Sequence, residues 1–251
     1  MSMVIKYGGN AMTDPLTRAA VARRLGELAS AGTPPVVVHG GGPFINEALD
    51  AAGLEHQFVR GLRVTSAAAM TIIEQVLTVL GKRLADEIGP AVALTGRDAG
   101  LLLAQVASQE LGLVGHMTGV DTLALTALRG SGLVPVVACV ASDGKGGVLN
   151  VNADEVAGAV AAELGEGVCF LTNVPGVLDD ATDHASLLSE LTRADIESRI
   201  ADGRIAGGMI PKVEAALTAL GYGAPFAVIA DGRDPTGVEA ALAGGGTRIS
   251  P

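Results

Sequence analysis

The 251-residue chain contains no tryptophan, and aromatic residues make up only 2% of it. Because 49% of the chain is hydrophobic, its core must be built from Ala, Val, Leu and Ile, which suits a buried sheet covered by small-residue helices. Basic side chains are also scarce: 17 Lys and Arg against 27 Asp and Glu leave a formal charge of -10. That balance argues against nucleic acid or an anionic membrane as a main partner, since both need a basic face. Any anion must be held by a few local positive groups. There are two cysteines, Cys139 in "VVACVA" and Cys169 in "GVCFLT". Both lie in apolar runs and read as small buried hydrophobes of a reducing compartment rather than as a disulfide or a nucleophile. No 18 apolar residues run uninterrupted, and "MSMVIKYGG" holds no segment long enough for a secretion signal, so a soluble cytoplasmic protein is expected. The GxxxxGK[ST] loop, the GxGxxG fingerprint and the GxSxG elbow are all missing. A P-loop kinase, a Rossmann dehydrogenase and a serine hydrolase thereby lose their main support. The four histidines share no metal spacing; His39 reads as structural, and His56 and His184 as exposed.

Glycine, by contrast, is abundant at 35 residues, and much of it sits where apolar runs end. The short lead Met3 to Ile5 reads as a strand running into Lys6, Gly8 and Gly9. "PPVVVHGGGP" is a Val-rich strand followed by a helix with Phe44, Ile45, Ala48, Leu49 and Ala52 at helical spacing and Gly53 as C-cap glycine. The longest helix runs from about Ala67 to Ile88, with Thr65 or Ser66 as N-cap. Further strands are expected in "AVALTG", "LVPVVACVA", "GVCFLTNV" and "FAVIADG", and helices in "TGVDTLALTALRGSG", "ADEVAGAVAAELG" and "GMIPKVEAALTALGYG". The polar stretch "DDATDHASLLSELTRADIESRIADGRIAGG" reads as a surface excursion with a short helix near Arg193 to Ile200. This alternation predicts an α/β fold with a mostly parallel sheet between helices. Ligands in such folds bind at the carboxyl ends of the strands. Four of those ends here are "KYGGNAM", "HGGGPFI", "TGRDAG" and "TNVPGV".

Three glycines before Pro43 in "HGGGP" let backbone N–H groups and a helix N-terminus approach an anion closely, where a single glycine would serve a plain turn. Arg63 in "GLRVTS" is by itself a surface salt-bridge candidate; beside such a cradle its planar fork suits a substrate carboxylate. In "LNVNADEVAGAV", Asn152 and Glu155 have capping-box spacing, which leaves Asn150 and Asp154 without a structural reason. Lys212 follows Pro211 near a helix start, where the helix dipole disfavours a cation, so its charge has another use.

Taken in order, "KYGGNAM", "HGGGP", "GLRVT", "LNVNAD", "LTNVPGV", "GGMIPKVEAAL" and "GTRIS" resemble the amino acid kinase family, in its N-acetylglutamate kinase branch, from Lys6 to Ile249. The resemblance implies an open αβα sandwich around a mostly parallel central sheet. Residues 1–166 would form an N-terminal lobe for the acyl amino acid and for dimerisation, and 167–251 a C-terminal lobe for ATP. It implies transfer of the ATP γ-phosphoryl group to the γ-carboxylate of N-acetyl-L-glutamate in arginine biosynthesis, with Mg²⁺ accompanying ATP and no metal ligand assigned to the chain. Lys6 and Lys212 would stabilise the transferring group and Asp154 would orient them. Gly41, Gly42, Arg63 and Asn150 would bind the acyl amino acid; Gly8, Gly9, Asn173, Val174, Gly176, Val177, Leu178 and Gly208 would bind the nucleotide. Two departures stand out. Asn173 in "TNVPG" replaces the common aspartate, and "GRDAG" has Arg97 for lysine with Ala99 displacing a glycine. The competing readings are a sister kinase acting on carrier-protein-bound α-aminoadipate or glutamate, and a non-catalytic ligand-sensing relative. Arginine-inhibited members carry an extra N-terminal helix, and five residues precede Lys6 here, so a homodimer paired through the long helix and insensitive to arginine is expected.

Overall fold

The computed structural model describes residues 3–180, 182–233 and 235–251, without the side chains of 184, 235–237 and 242. In chain order the elements are β1 (Met3–Tyr7), α1 (Pro15–Ser30), β2 (Val36–His39), α2 (Gly42–Ala51), β3 (Phe58–Val59), β4 (Leu62–Arg63), α3 (Ala67–Ile88), β5 (Ala91–Thr95), β6 (Leu102–Val106), β7 (Val114–Val120), α4 (Leu123–Gly130), β8 (Val134–Ala138), β9 (Val140–Ser142), β10 (Val148–Val151), α5 (Ala153–Leu164), β11 (Gly167–Thr172), β12 (Glu190–Thr192), α6 (Arg193–Ala201), α7 (Ile210–Tyr222), β13 (Ala227–Asp231), α8 (Pro235–Leu242) and β14 (Thr247–Ser250).

Eight strands form the central sheet in the order β12-β14-β13-β11-β1-β2-β8-β5. Every neighbouring pair is parallel except β13 with β14. Strands up to β8 fill one half and those from β11 onward the other, so β1 and β11 meet at the seam. The central strands read as near-continuous apolar runs because helices cover both faces. Side chains of β1 divide between the two faces: Val4 packs in the core that also holds Val156 and Val160 of α5, whereas Met3, Ile5 and Tyr7 pack in the core that holds Val21 and Leu25 of α1. By the two-residue period of a strand, Lys6 lies on the Val4 face, under α5.

Four further strands, β10-β7-β6-β9, close on themselves beside the sheet, and β3 and β4 form a hairpin. Arg60 at φ 50° and Gly61 at φ 78° make its two-residue turn, the backbone that a tight hairpin requires. Ser66 caps α3 by accepting the Ala69 N–H, and Gly53 follows α2 at φ 67°, as expected.

The structure corrects several expectations. α1 has all the marks of a helix, with Asp14 as N-cap, Pro15 in its first turn and Val21, Ala22, Leu25 and Ala29 buried at helical spacing, yet its arginines break the apolar run that draws the eye. The first part of "TGVDTLALTALRGSG" belongs to strand β7, and the helix starts at Leu123. Strands β6, β10 and β14 were not expected as elements; they are short, and β6 exposes Leu103 and Val106. His56 is half-buried, its Nε2 3.2 Å from Asp50 Oδ1, rather than exposed. The expectation for His184 falls outside the described side chains. Among the described residues no helix is long and apolar enough to cross a membrane.

Candidate active site

Lys6 is the last residue but one of β1, on the face covered by α5, and Asp154 occupies the second position of that helix, whose N-cap Asn152 accepts the Asp154 N–H. Sheet pleat and cap together set the Lys6 ammonium 2.9 Å from Asp154 Oδ1. The pair stands between two cavities. The first, of about 210 Å³, is lined by Gly8, Asn10, Thr172, Asn173 and Lys212; the second, of about 220 Å³, by Gly41, Gly42, Phe58, Arg63, Cys139 and Asn150. Lys6, Gly9 and Asp154 line both.

Glycine is required at the junction for lack of space. A Cβ on Gly9 would lie 2.9 Å from Gly42 N, 3.1 Å from Pro43 Cδ and 3.2 Å from Gly41 Cα, so the loops after β1 and β2 touch backbone to backbone. One on Gly41 would lie 2.6 Å from Leu77 Cδ2. These loops present N–H groups at the start of α2, the arrangement that favours an anion.

In the second cavity Arg63 is 7% exposed. Its Nη2 donates to Asn46 Oδ1 at 2.5 Å, its guanidinium carbon lies 4.6 Å from the Phe58 ring centre, and its buried Nη1 has no partner among the described residues. Burial lowers its pKa, with the Asp50 charge opposing. A buried guanidinium with a free donor is matched by a carboxylate, whose two oxygens take the fork. Asn150 donates from Nδ2 to Thr65 Oγ1 at 3.2 Å, and Thr65 in turn donates to the Arg63 carbonyl at 2.8 Å.

In the first cavity Lys212 donates to the Gly208 carbonyl at 2.9 Å. Burial and the nearby Lys6 charge lower its pKa, while Asp154 raises it. Asn173 lines this cavity beside Gly8 and Gly9. Val174, Gly176, Val177, Leu178 and Gly208 do not line it. Val177 is buried in the core with its N–H donating to Thr247 Oγ1 at 2.8 Å, Gly176 has φ 153° and no room for a Cβ beside Thr247, and Leu178 bridges Leu187. Val174 donates its N–H to Thr172 Oγ1. These residues shape the loop after β11, and Gly208 holds Lys212.

Other groups are explained by packing. His39 is buried with Nδ1 3.1 Å from the Gly40 carbonyl, and burial pushes its pKa down to about 4, so it is neutral and structural as expected. Burial pushes the Cys139 and Cys169 thiols up to about 12. Arg97 of the "GRDAG" departure pairs with Glu74 at 2.6 Å and lines neither cavity. Glu155 does not complete the expected capping box: it accepts from the Met117 N–H and the Tyr222 hydroxyl instead. Phe58 and Asn46 were missed in the sequence, since an aromatic and an amide carry no spacing signal; Asn10 and Thr172 stood within motifs already marked. No group of three or more His, Cys, Asp or Glu that could hold a metal occurs among the described residues.

Comparison with known proteins bears on this arrangement. Acetylglutamate kinase of Deinococcus radiodurans is 55% identical over 251 residues, covering 99% of this chain and 100% of that protein, and acetylglutamate kinase of a Jannaschia species is 43% identical over 242, covering 94% and 84%. The crystal structure of smu.665 from Streptococcus mutans superposes with a TM-score of 0.79 at 27% identity, covering 99% of this chain and 98% of that one. The family model described as the amino acid kinase family matches residues 1–231. With the model covering most of the chain and a relative more than half identical along its whole length, this chain belongs to the amino acid kinase family.

Proposed function

We propose that the chain transfers the γ-phosphoryl group of ATP to the γ-carboxylate of N-acetyl-L-glutamate. The observation that carries this reading is the pair of cavities sharing Lys6, Gly9 and Asp154. One has the buried Arg63 guanidinium, whose Nη1 has no partner among the described residues, to hold a carboxylate; the other has Lys212 and glycine N–H groups to hold phosphates. The relatives are named acetylglutamate kinases, and the acidic surface offers little basic rim for docking a carrier-bound substrate.

An alkyl carboxylate titrates near 4.3, so the acceptor is already ionised at neutral pH and needs no general base. One of its oxygens forms a bond to γ-phosphorus as the bond from that phosphorus to the β–γ bridging oxygen breaks. ADP leaves and an acyl phosphate remains. The chain's work is positioning and charge neutralisation. Lys6, held by Asp154 between the cavities, serves the phosphoryl oxygens in flight, and Lys212 serves the nucleotide side. The neutral His39 takes no part.

Mg²⁺ belongs to this reading as the partner of ATP. Asp154, the carboxylate at the junction, is already paired with Lys6, so the donor set suits an ion carried by the phosphates rather than a protein cage. When bound, the ion would neutralise phosphate charge. Residues 1–166 then serve as the acceptor lobe and 167–251 as the nucleotide lobe, in line with the two halves of the sheet. The groove between α2 and α3, lined by Phe44, Ala48, Val76, Val79 and Leu80, supports pairing of two copies through α3, where Val79 is 57% exposed. Purified enzyme given N-acetylglutamate and MgATP should release ADP in a coupled assay and yield a hydroxylamine-trappable acyl phosphate; ADP release without trapped product would defeat the proposal.

A further inference from the structure

One residue beyond Asp154, Glu155 turns away from both cavities and gathers three partners on a single oxygen. Its Oε1 accepts from the Met117 N–H of β7 at 2.8 Å and from the Tyr222 hydroxyl of α7 at 2.6 Å, and lies 2.6 Å from His116 Nδ1. Met117 sits at a bulge: the register between β6 and β7 shifts there, from Leu103 opposite Gly119 to Ala104 opposite Met117, and Thr118 has no partner. The Glu155 carboxylate thus fastens the first turn of α5 to an irregular strand on one side and to the end of α7 on the other. Those two helices carry two of the charged groups of the site: Asp154 at the start of α5 and Lys212 at the start of α7. They touch closely, since a Cβ on Gly158 would fall 2.8 Å from Ala219 Cα.

From this geometry we propose that Glu155 is a positioning residue for phosphoryl transfer: by binding Met117 and Tyr222 it fixes the start of α5, and with it Asp154 and Lys6, relative to Lys212. The proposal rests on the kinase reading above. A capping role does not account for the contacts, because Asn152 already serves as N-cap and Glu155 makes no bond back to it. Burial together with the bond to Glu155 and its charge raises the Tyr222 pKa, so the hydroxyl remains a donor across the working range. His116 is largely solvent-exposed, which makes it the dispensable member of the group.

The test compares Glu155→Ala, Glu155→Gln and wild type in steady-state turnover of N-acetylglutamate and MgATP. A displacement of about 1 Å costs up to roughly 10²-fold in rate. Glu155→Ala should therefore lower kcat by about 10- to 100-fold while both KM values stay within about threefold, since neither cavity is lined by Glu155. Glu155→Gln keeps an oxygen acceptor for both donors and should restore kcat to within about threefold of wild type. A Glu155→Ala enzyme with wild-type kcat overturns the proposal, as does a Gln variant as impaired as the Ala one, or a loss carried by KM. If Glu155→Ala does not fold, Tyr222→Phe, which removes one hydroxyl, should lower kcat with unchanged KM, and an unchanged kcat overturns it. Wild type inactive on N-acetylglutamate would defeat the kinase reading alone. Crystal structures then decide the positioning claim: Asp154 should leave Lys6 in Glu155→Ala, and an intact 2.9 Å pair refutes it.

Discussion

Alanine at Gly9 and at Gly42 should have opposite effects on stability, although both glycines face the same junction. At Gly9 the added Cβ meets backbone at 2.9 Å (Gly42 N) and 3.2 Å (Gly41 Cα) and the Pro43 ring at 3.1 Å, none of it the end of a flexible side chain. The loops after β1 and β2 must part by several tenths of an ångström. Overpacking of this kind costs roughly 1–3 kcal/mol. For a chain of this size each kcal/mol moves Tm by about 2–4 °C, so Gly9→Ala should melt roughly 2–12 °C lower. At Gly42, in the first turn of α2, a Cβ meets nothing within 4 Å and φ is not positive. Gly42→Ala should therefore gain roughly 0.4–1 kcal/mol through the unfolded state and melt about 1–4 °C higher. Calorimetry on the ligand-free proteins reads both shifts, and kinetics add a second contrast. Parting the loops in Gly9→Ala moves both cavities and should cost up to about 10²-fold in kcat. Equal Tm changes in the two variants, or a Gly9→Ala protein melting with wild type, would refute the claim that the loops are held in backbone contact.

Removing either ammonium, in Lys6→Ala or Lys212→Ala, should lower kcat by about 10²- to 10³-fold, as loss of a single transition-state donor does; a near-normal kcat for either would remove that residue from the mechanism. Arg63→Lys keeps the charge but not the fork, and should raise KM for the acyl amino acid by about 10-fold or more with kcat and the ATP KM little changed, which initial-rate kinetics would show. Ala99 holds a left-handed φ of 54°, so Ala99→Gly should raise stability by about 1 kcal/mol in urea unfolding, and a loss would contradict the strain. His39 titrates at about 4 when folded and near 6.5 when unfolded, so as pH falls the unfolded chain takes up the proton first. Its contribution is nil above about 6.5 and becomes unfavourable on acidification toward 4, reaching about 3 kcal/mol at roughly 1.4 kcal/mol per pH unit. His39→Asn should flatten that part of the stability profile, and an unchanged slope would place the acid sensitivity elsewhere.

Much of this site was legible because glycine and lysine stood out against an aliphatic background. Lys6, Asp154 and Lys212 came from motifs scattered along the chain, and the sheet brings them together because β1 and α5 share a face. Gly41, Gly42, Arg63 and Asn150 likewise converge on one cavity. The loop after β11 was less legible: "TNVPGV" reads as a ligand loop throughout, yet Val177 faces the core, because a backbone that turns sharply must anchor itself with some of its own residues. Glu155 shows the limit of spacing arguments. Its distance from Asn152 matches a capping box, but a bulged strand and a tyrosine from distant parts of the chain compete for the carboxylate and win. Strands as short as β6 (Leu102–Val106) and β14 (Thr247–Ser250) span too few residues to establish a two-residue period.

Steady-state kinetics with N-acetylglutamate, glutamate and N-acetyl-α-aminoadipate side by side, each with MgATP, decide whether the chain is a kinase selective for N-acetylglutamate. Saturable ADP release is expected with N-acetylglutamate at a kcat/KM at least about 10²-fold above that for either of the others, one methylene or one unpaired amide being worth about that much. Equal or greater turnover of glutamate or the longer homologue, or none with N-acetylglutamate, would contradict it.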